Sequence, residues 1–273
     1  MPTQGFEGET MPTQGFAGAV FDVDGVLVDS PHEQSWRDSM RELMETEWSG
    51  IREQTTWSPE AFTPEVYQQV MSGKPRMSGA LAALEHFEVP DAEGHVEAYA
   101  ARKQDMVIEL IGDGEFEAYP DALRFVMAVR AAGIPTAAAS SSKNAGLFLR
   151  KIRLDTFAEK EGLTYDFLRP GLTLFDFFDA DVSGRDFAQG KPHPEMFLTA
   201  ASELGIAPEL CFVVEDAASG VEAAKAGSMA ALGVARVDDE DLLTSAKADL
   251  VVASLDEVDV ESLARHALSR RAS

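Results

Sequence analysis

A short apolar run at residues 17–21 ends abruptly in two carboxylates one residue apart, Asp22 and Asp24, with Gly25 directly behind them. That pattern is a buried strand delivering acids to the edge of a sheet. Successive strand side chains point to opposite faces, so acids at this spacing share one face or lie where the strand has just ended. Taken alone, the same residues also describe a strand followed by an Asx-type turn.

Three later segments, in chain order, add to this signal. Residues 134–144, IPTAAASSSKN, read as a second buried strand that ends in hydroxyls and opens a helix. Free backbone N–H groups at a helix start favour phosphate oxygens, and Ser140 is the best-placed hydroxyl. Residues 190–197, GKPHPEMF, set Lys191 just ahead of two prolines, with Glu195 beginning an apolar-periodic helix. Rigid neighbours fix such a lysine. Residues 211–227, CFVVEDAASGVEAAKAG, are another buried strand ending in the adjacent acids Glu215 and Asp216, before a helix opened by Ser and Gly. Singly, a serine run is a cap and a lone lysine is a solvated surface residue. In this order they form a constellation.

On these residues the chain resembles the haloacid dehalogenase superfamily of phosphotransferases, and within it the β-phosphoglucomutase-like branch, from about residue 17 to about residue 255. The resemblance implies that Asp22 is the nucleophile and Asp24 the general acid/base, and that Ser140, Ser141 and Lys191 bind phosphate. It implies Mg²⁺ as cofactor, with Asp22, Asp24, Glu215 and Asp216 at the metal. True dehalogenases lack the second acid, so Asp24 argues against that chemistry. The physical chemistry is consistent with these roles. A carboxylate attacking phosphorus splits one difficult transfer into two through an aspartyl phosphate, but it must approach an anionic group. Carboxylates such as Asp22, Glu215 and Asp216 would also repel one another, by roughly 4 kcal/mol for a pair about 4 Å apart at an effective dielectric near 20. A divalent ion relieves both repulsions, and an all-oxygen donor set suits Mg²⁺ rather than zinc. Lys191 would add positive charge, while Ser140 and nearby backbone N–H groups cradle the equatorial oxygens. Asp24 would protonate the leaving oxygen and later deprotonate the acceptor.

Strand signals at 17–22, 134–140, 174–179, 210–215, 229–233 and 250–252 alternate with helical stretches. This rhythm predicts an α/β fold, a Rossmann-like parallel sheet flanked by helices with ligands at the strands' carboxyl ends. Residues 31–117 interrupt it. Segments 33–47, 64–71, 77–87 and 92–111 carry apolar residues at helical spacing, so this insert is expected to be a helical bundle, and it resembles the family's cap domain. The core domain would then comprise 17–30 and 118–273, with hinges near 29–31 and 112–121. Residues 1–16, which hold MPTQGF twice, are expected to be a disordered leader or to contain an alternative start at Met11.

Within the insert, SGKPRMSG at 72–79 is similar to the loop with which β-phosphoglucomutases hold the distal phosphate, and Arg76 falls on the phosphate-binding arginine. A guanidinium fork suits that task, although a helix-capping turn with a solvated arginine has the same composition. The resemblance also places His32, Lys103, Ser142, Lys143 and Asn144 among substrate-binding positions. Their simpler readings are an exposed lysine at 103 and helix caps at 142 and 144. Residues 157–172 are an insertion relative to the family, and their Tyr165, Phe167 and Leu168 could form a lid margin, a subunit contact or packing on the core.

A formal net charge of −24 disfavours nucleic acid and anionic membrane surfaces as partners. No apolar run approaches membrane-spanning length, and the expected location is the cytoplasm. The single cysteine, Cys211, begins a buried strand and reads as core packing. The expected partner is a small phosphorylated sugar. The expected function is Mg²⁺-dependent phosphoryl transfer through an aspartyl phosphate, as a hexose phosphate mutase or a sugar phosphate phosphatase. A phosphosugar-binding protein without catalysis is the remote alternative.

Overall fold

The computed structural model describes residues 15–71, 74–237 and 239–272. Residues 1–14 of the expected leader, and Ser72 and Gly73 of the 72–79 loop, lie outside the described residues. The chain divides into two compact units, one breaking off at Asp29 and resuming at Ala118, the other running from Ser30 to Glu117.

Among the described residues eight strands are formed: β1 (Gly18–Phe21), β2 (Val28–Asp29), β3 (Glu117–Ala118), β4 (Thr136–Ala138), β5 (Ala180–Asp181), β6 (Cys211–Glu215), β7 (Ala230–Val234) and β8 (Leu250–Val252). Six make one sheet in the order β5-β4-β1-β6-β7-β8, and β2 with β3 makes a separate two-stranded sheet. Every pairing in the large sheet is parallel. The sequence reason is plain in β1, β4 and β6, whose residues are buried throughout. Runs without alternation are covered on both faces, as parallel strands joined by helices must be. On one face Val20, Ala137, Val213 and Ala231 pack with Phe197 and Val221. Elsewhere in this unit Phe125 packs with Phe21 and with Phe212 at centroid separations of 6.1 and 6.4 Å. The chain lays down β1, β4 and β5 in one direction, then crosses to β6, β7 and β8 in the other. The reversal falls at β1, and ligands of open α/β sheets bind at such a switch point.

Two expectations need correction. Residues 174–179 are not a strand. Thr173 Oγ1 accepts the Asp176 N–H at 3.1 Å, which caps a helical turn at Leu174–Phe177, and Leu174 and Phe177 are buried on one side of it. A capping hydroxyl three residues ahead of an acid won over β-propensity; the edge strand β5 starts later, at Ala180. The expected leader also ends too late. Phe16 is buried, stacks on His266 and meets Phe212 edge-on, and its N–H donates to Leu263 O, so it belongs to the packed core. Cys211 is buried and unpaired, and burial, with Glu209 adding to it, pushes its thiol up to about 11. A buried thiol held protonated is packing material.

The 30–117 unit is helical: His32–Glu45, Pro64–Val66, Arg76–His86 and Ala92–Asp113, with a π-turn at Tyr67–Met71. Their apolar faces meet in a core of Trp36, Met40, Leu43, Leu84, Phe87 and Tyr99. Tyr99 is fully buried, its ring 4.8 Å from Trp36 and its hydroxyl donating to Trp36 O at 2.9 Å. Each large apolar side chain buried here contributes roughly 1.5–3 kcal/mol. In the 157–172 insertion, Tyr165 and Phe167 stack at 5.0 Å, and Phe167 meets buried Phe177 edge-on. The insertion therefore packs on its own unit's core. Among the described residues, no helix is long and apolar enough to cross a membrane.

Candidate active site

β1 stops at Phe21, yet the Asp22 N–H still donates to Val214 O at 3.0 Å, so the first acid is held in the sheet at the mouth of the central strand. The chain then turns tightly: Gly25 N–H donates to Val28 O, and Leu27 and Val28 donate back to Val23 O. Val26, Leu27 and Val28 are buried, which anchors this turn and presents Asp24 beside the end of β4. There Ser140 Oγ donates to Asp24 Oδ2 at 3.1 Å and accepts the Ser142 N–H at 3.0 Å.

Lys191 links the acids. Its ammonium lies 2.6 Å from Asp22 Oδ1 and also bonds Glu215 Oε1, with the Phe197 ring centroid 5.3 Å away. Glu215 is fully buried, and its second oxygen accepts the Ala217 N–H at 2.9 Å. Gly220 makes this possible, because a Cβ there would fall 1.7 Å from Glu215 Oε1. Gly25 does the same for Asp216: at φ +79° it has a backbone that favours glycine, and a Cβ would lie 1.9 Å from Asp216 Oδ2.

The electrostatics are those of too many acids for one ammonium. Burial, opposed by Lys191 and reinforced by Glu215 and Asp24, pushes the Asp22 carboxyl up to about 8. Burial, then Glu215 and Asp22, hold Asp216 well above the usual carboxylate range. Burial alone would lower Lys191, but Asp22 and Glu215 outweigh it and hold the lysine above its ordinary value. Such a group would welcome a hard cation, and the all-oxygen donor set fits Mg²⁺. Among the described residues no three His, Cys, Asp or Glu side chains already stand together as a metal cage. One reason is visible in Glu215. Both of its oxygens are engaged, by Lys191 and by Ala217. Asp24 accepts the Ser140 hydroxyl through Oδ2. Asp22, Asp24, Glu215 and Asp216 would be the oxygen donors to such an ion.

The remaining expected site residues fall into two groups. Ser141 is exposed at the end of β4, Ser142 Oγ accepts the Asn144 N–H at 3.3 Å, and Asn144 is buried. Asn144 precedes the helix Ala145–Lys151 without capping it through its side chain. Lys143 turns to Gly184 O at 2.8 Å and to Asp186. In the helical unit, Lys103 is buried rather than exposed; its ammonium sits 3.3 Å from His32 Nδ1 and 5.1 Å from the Trp36 ring centroid. Arg76 is exposed and bonds Gln104 Oε1, one residue along from Lys103. Sequence reasoning missed Arg236, whose guanidinium reaches the carbonyls of Gly25 and Val26. These two targets are main-chain oxygens, which leave no mark in a sequence.

The profile of the haloacid dehalogenase-like hydrolases matches residues 16–227. The β-phosphoglucomutase of Mycobacterium tuberculosis is 32% identical over 223 residues, covering 77% of this chain and 78% of the relative. The phosphorylated carbohydrates phosphatase of Thermotoga maritima is 29% identical over 211 residues, covering 77% of this chain and 81% of the relative. Among solved structures, the archaeal β-phosphoglucomutase of Pyrococcus sp. strain ST 04 superposes with a TM-score of 0.66 at 29% identity, covering 90% of this chain and 97% of that one. An acid pair at the mouth of the central strand, a lysine bridging to the next strand and this span of similarity lead to one conclusion: the chain is a phosphotransferase enzyme of the haloacid dehalogenase-like hydrolase family, in its β-phosphoglucomutase-like branch.

Proposed function

We propose that the protein moves phosphoryl groups on small phosphorylated sugars through an aspartyl phosphate on Asp22, with Mg²⁺ bound, and that within this chemistry it is a hexose phosphate mutase. The observation that carries the reading is Asp22 itself, fixed at the carboxyl end of β1 by its own backbone and by Lys191 at 2.6 Å, with the second acid two residues on. An Asp22 carboxylate oxygen forms a bond to phosphorus as the bond from phosphorus to the sugar oxygen breaks, and Asp24 gives its proton to that leaving oxygen. In the return half, Asp24 takes the proton of an acceptor hydroxyl, whose oxygen bonds phosphorus and frees Asp22. Lys191 and Ser140 stabilise the charge on the transferring group. Mg²⁺, which Asp22, Asp24, Glu215 and Asp216 would hold, would supply charge neutralisation between nucleophile and phosphate.

The acceptor separates a mutase from a phosphatase. The similarity to a β-phosphoglucomutase supports a sugar hydroxyl as acceptor, and Arg76, with Lys103 and His32, is proposed to bind the second phosphate and the sugar that a bisphosphate intermediate carries. The similarity to a carbohydrate phosphatase supports water instead. The test is β-glucose 1-phosphate with and without its 1,6-bisphosphate, following glucose 6-phosphate and inorganic phosphate together. Isomer formation that depends on the bisphosphate is the expected result. Phosphate release far faster than isomerisation, with bisphosphate supplied, would replace the mutase with the phosphatase.

A further inference from the structure

We propose that Arg236 is a positioning residue for the acid/base Asp24, holding the turn that carries it by gripping two of its main-chain carbonyls. This inference rests on the assignment of Asp24 made above. Arg236 stands two residues beyond β7, outside the four motifs. Its Nε donates to Gly25 O at 3.1 Å and its Nη2 to Val26 O at 3.0 Å. Its Nη1 reaches both oxygens of Asp121, at 3.1 and 2.9 Å. The flat face lies 3.8 Å from the Tyr119 ring centroid. The guanidinium is thus used on three edges and one face, and the side chain is only 14% exposed.

Each partner is itself fixed. Asp121 also accepts the Leu255 N–H at 2.8 Å and the Ser254 hydroxyl at 3.1 Å. Burial would raise its carboxyl, but Arg236 and the Leu255 N–H win and hold it below the ordinary value, so the pair is ionised. Tyr119 N–H donates to Leu27 O at 3.0 Å, on the same turn. Buried carbonyls need donors. Here one side chain satisfies two of them immediately after Asp24, at the glycine whose bare Cα admits Asp216. Loosening that grip would let the turn, and Asp24 with it, depart from its place beside Ser140. Lysine cannot substitute, because a point ammonium lacks the fork that spans two carbonyls and a carboxylate.

Leaving-group dependence separates positioning of an acid from loss of stability. p-Nitrophenolate leaves phosphorus without a proton, whereas a sugar alkoxide needs one. Single-turnover release from p-nitrophenyl phosphate and from glucose 6-phosphate is measured with wild type, Asp24→Asn, Arg236→Met and Arg236→Lys, below each melting temperature. Both Arg236 variants are expected to lose about 10- to 100-fold on the sugar phosphate and less than about 3-fold on the nitrophenyl ester, a weaker copy of Asp24→Asn. Should Arg236→Met fail to fold, Arg236→Lys, which keeps the charge beside Asp121, is read alone. Equal losses on the two substrates, or a lower melting temperature with unchanged rates, would overturn the proposal. If Asp24→Asn itself shows no discrimination, or wild type cleaves neither ester, the assignment of Asp24 falls first and takes this inference with it.

Discussion

Among the described residues, each unit of the protein withdraws a lysine from water, and the two are set among different partners. Lys191 in the α/β unit sits between the carboxylates of Asp22 and Glu215. Lys103 in the helical unit, 5% exposed, rests against an imidazole and an indole face. The first site is acid-rich and has room for more positive charge. The second sets its ammonium within reach of His32 Nδ1 and over the Trp36 ring. A buried charge is therefore informative through its partners, and the two units give the same residue type different surroundings.

The largest effect should come from breaking the first arrangement. Lys191→Met leaves two buried carboxylates without their cation, a loss of about 3–5 kcal/mol of stability together with turnover. Denaturant melts checked against activity would show it; a variant as stable as wild type would mean the acids share their charge with something other than the lysine.

Next in size is Arg76→Ala, which removes a guanidinium from the helical unit. Isomerisation of β-glucose 1-phosphate should fall by about 2–5 kcal/mol in transition-state terms, while hydrolysis of acetyl phosphate changes much less. Parallel loss of both activities would place Arg76 in stability rather than in substrate binding.

The excess of acid also has a pH signature. With Asp22 raised from 3.8 to about 8, the folded metal-free protein binds more protons than the unfolded chain across that window, so stability falls as pH rises through it. Asp216 acts in the same sense, and Lys191, raised from 10.5, stays charged throughout. Mg²⁺ competes with those protons and should raise the melting temperature more at pH 8 than at pH 5.5. An equal rise at both would separate the ion from these carboxylates.

The smallest expected change in stability is at the second lysine. Lys103→Met keeps the stem over Trp36 and gives up the ammonium's contacts with His32 and the indole face, so unfolding free energy should fall by about 1–2 kcal/mol, less than for Lys191→Met. A loss as large as that of Lys191→Met would erase the contrast between the two units.

Much of this was legible in the sequence because parallel strands announce themselves. Buried runs at β1, β4 and β6 end in Asp22, Ser140 and Glu215, and a run that ends in polar residues marks the carboxyl edge where they meet. The helices of the insert followed from apolar spacing, with Ala92–Asp113 two residues longer than its 92–111 signal. The 174–179 segment misled because Leu174, Phe175, Phe177 and Phe178 suit either element, and Thr173 decides between them through a local cap. The burial of Lys103 was hidden, since it depends on Trp36, far away in sequence. The partners of Glu215 were hidden too, since Lys191 lies on another segment and the Ala217 donor is a main-chain N–H.

The central claim is that Asp22 becomes phosphorylated. Beryllofluoride mimics that aspartyl phosphate, so ¹⁹F NMR of the protein with Mg²⁺ and BeF₃⁻ reads it directly. Wild type should give bound fluorine resonances that disappear in Asp22→Asn, with the folded state of the variant verified by its melt. Bound resonances that persist in Asp22→Asn, or none in a wild type that turns over phosphosugars, would contradict the covalent mechanism.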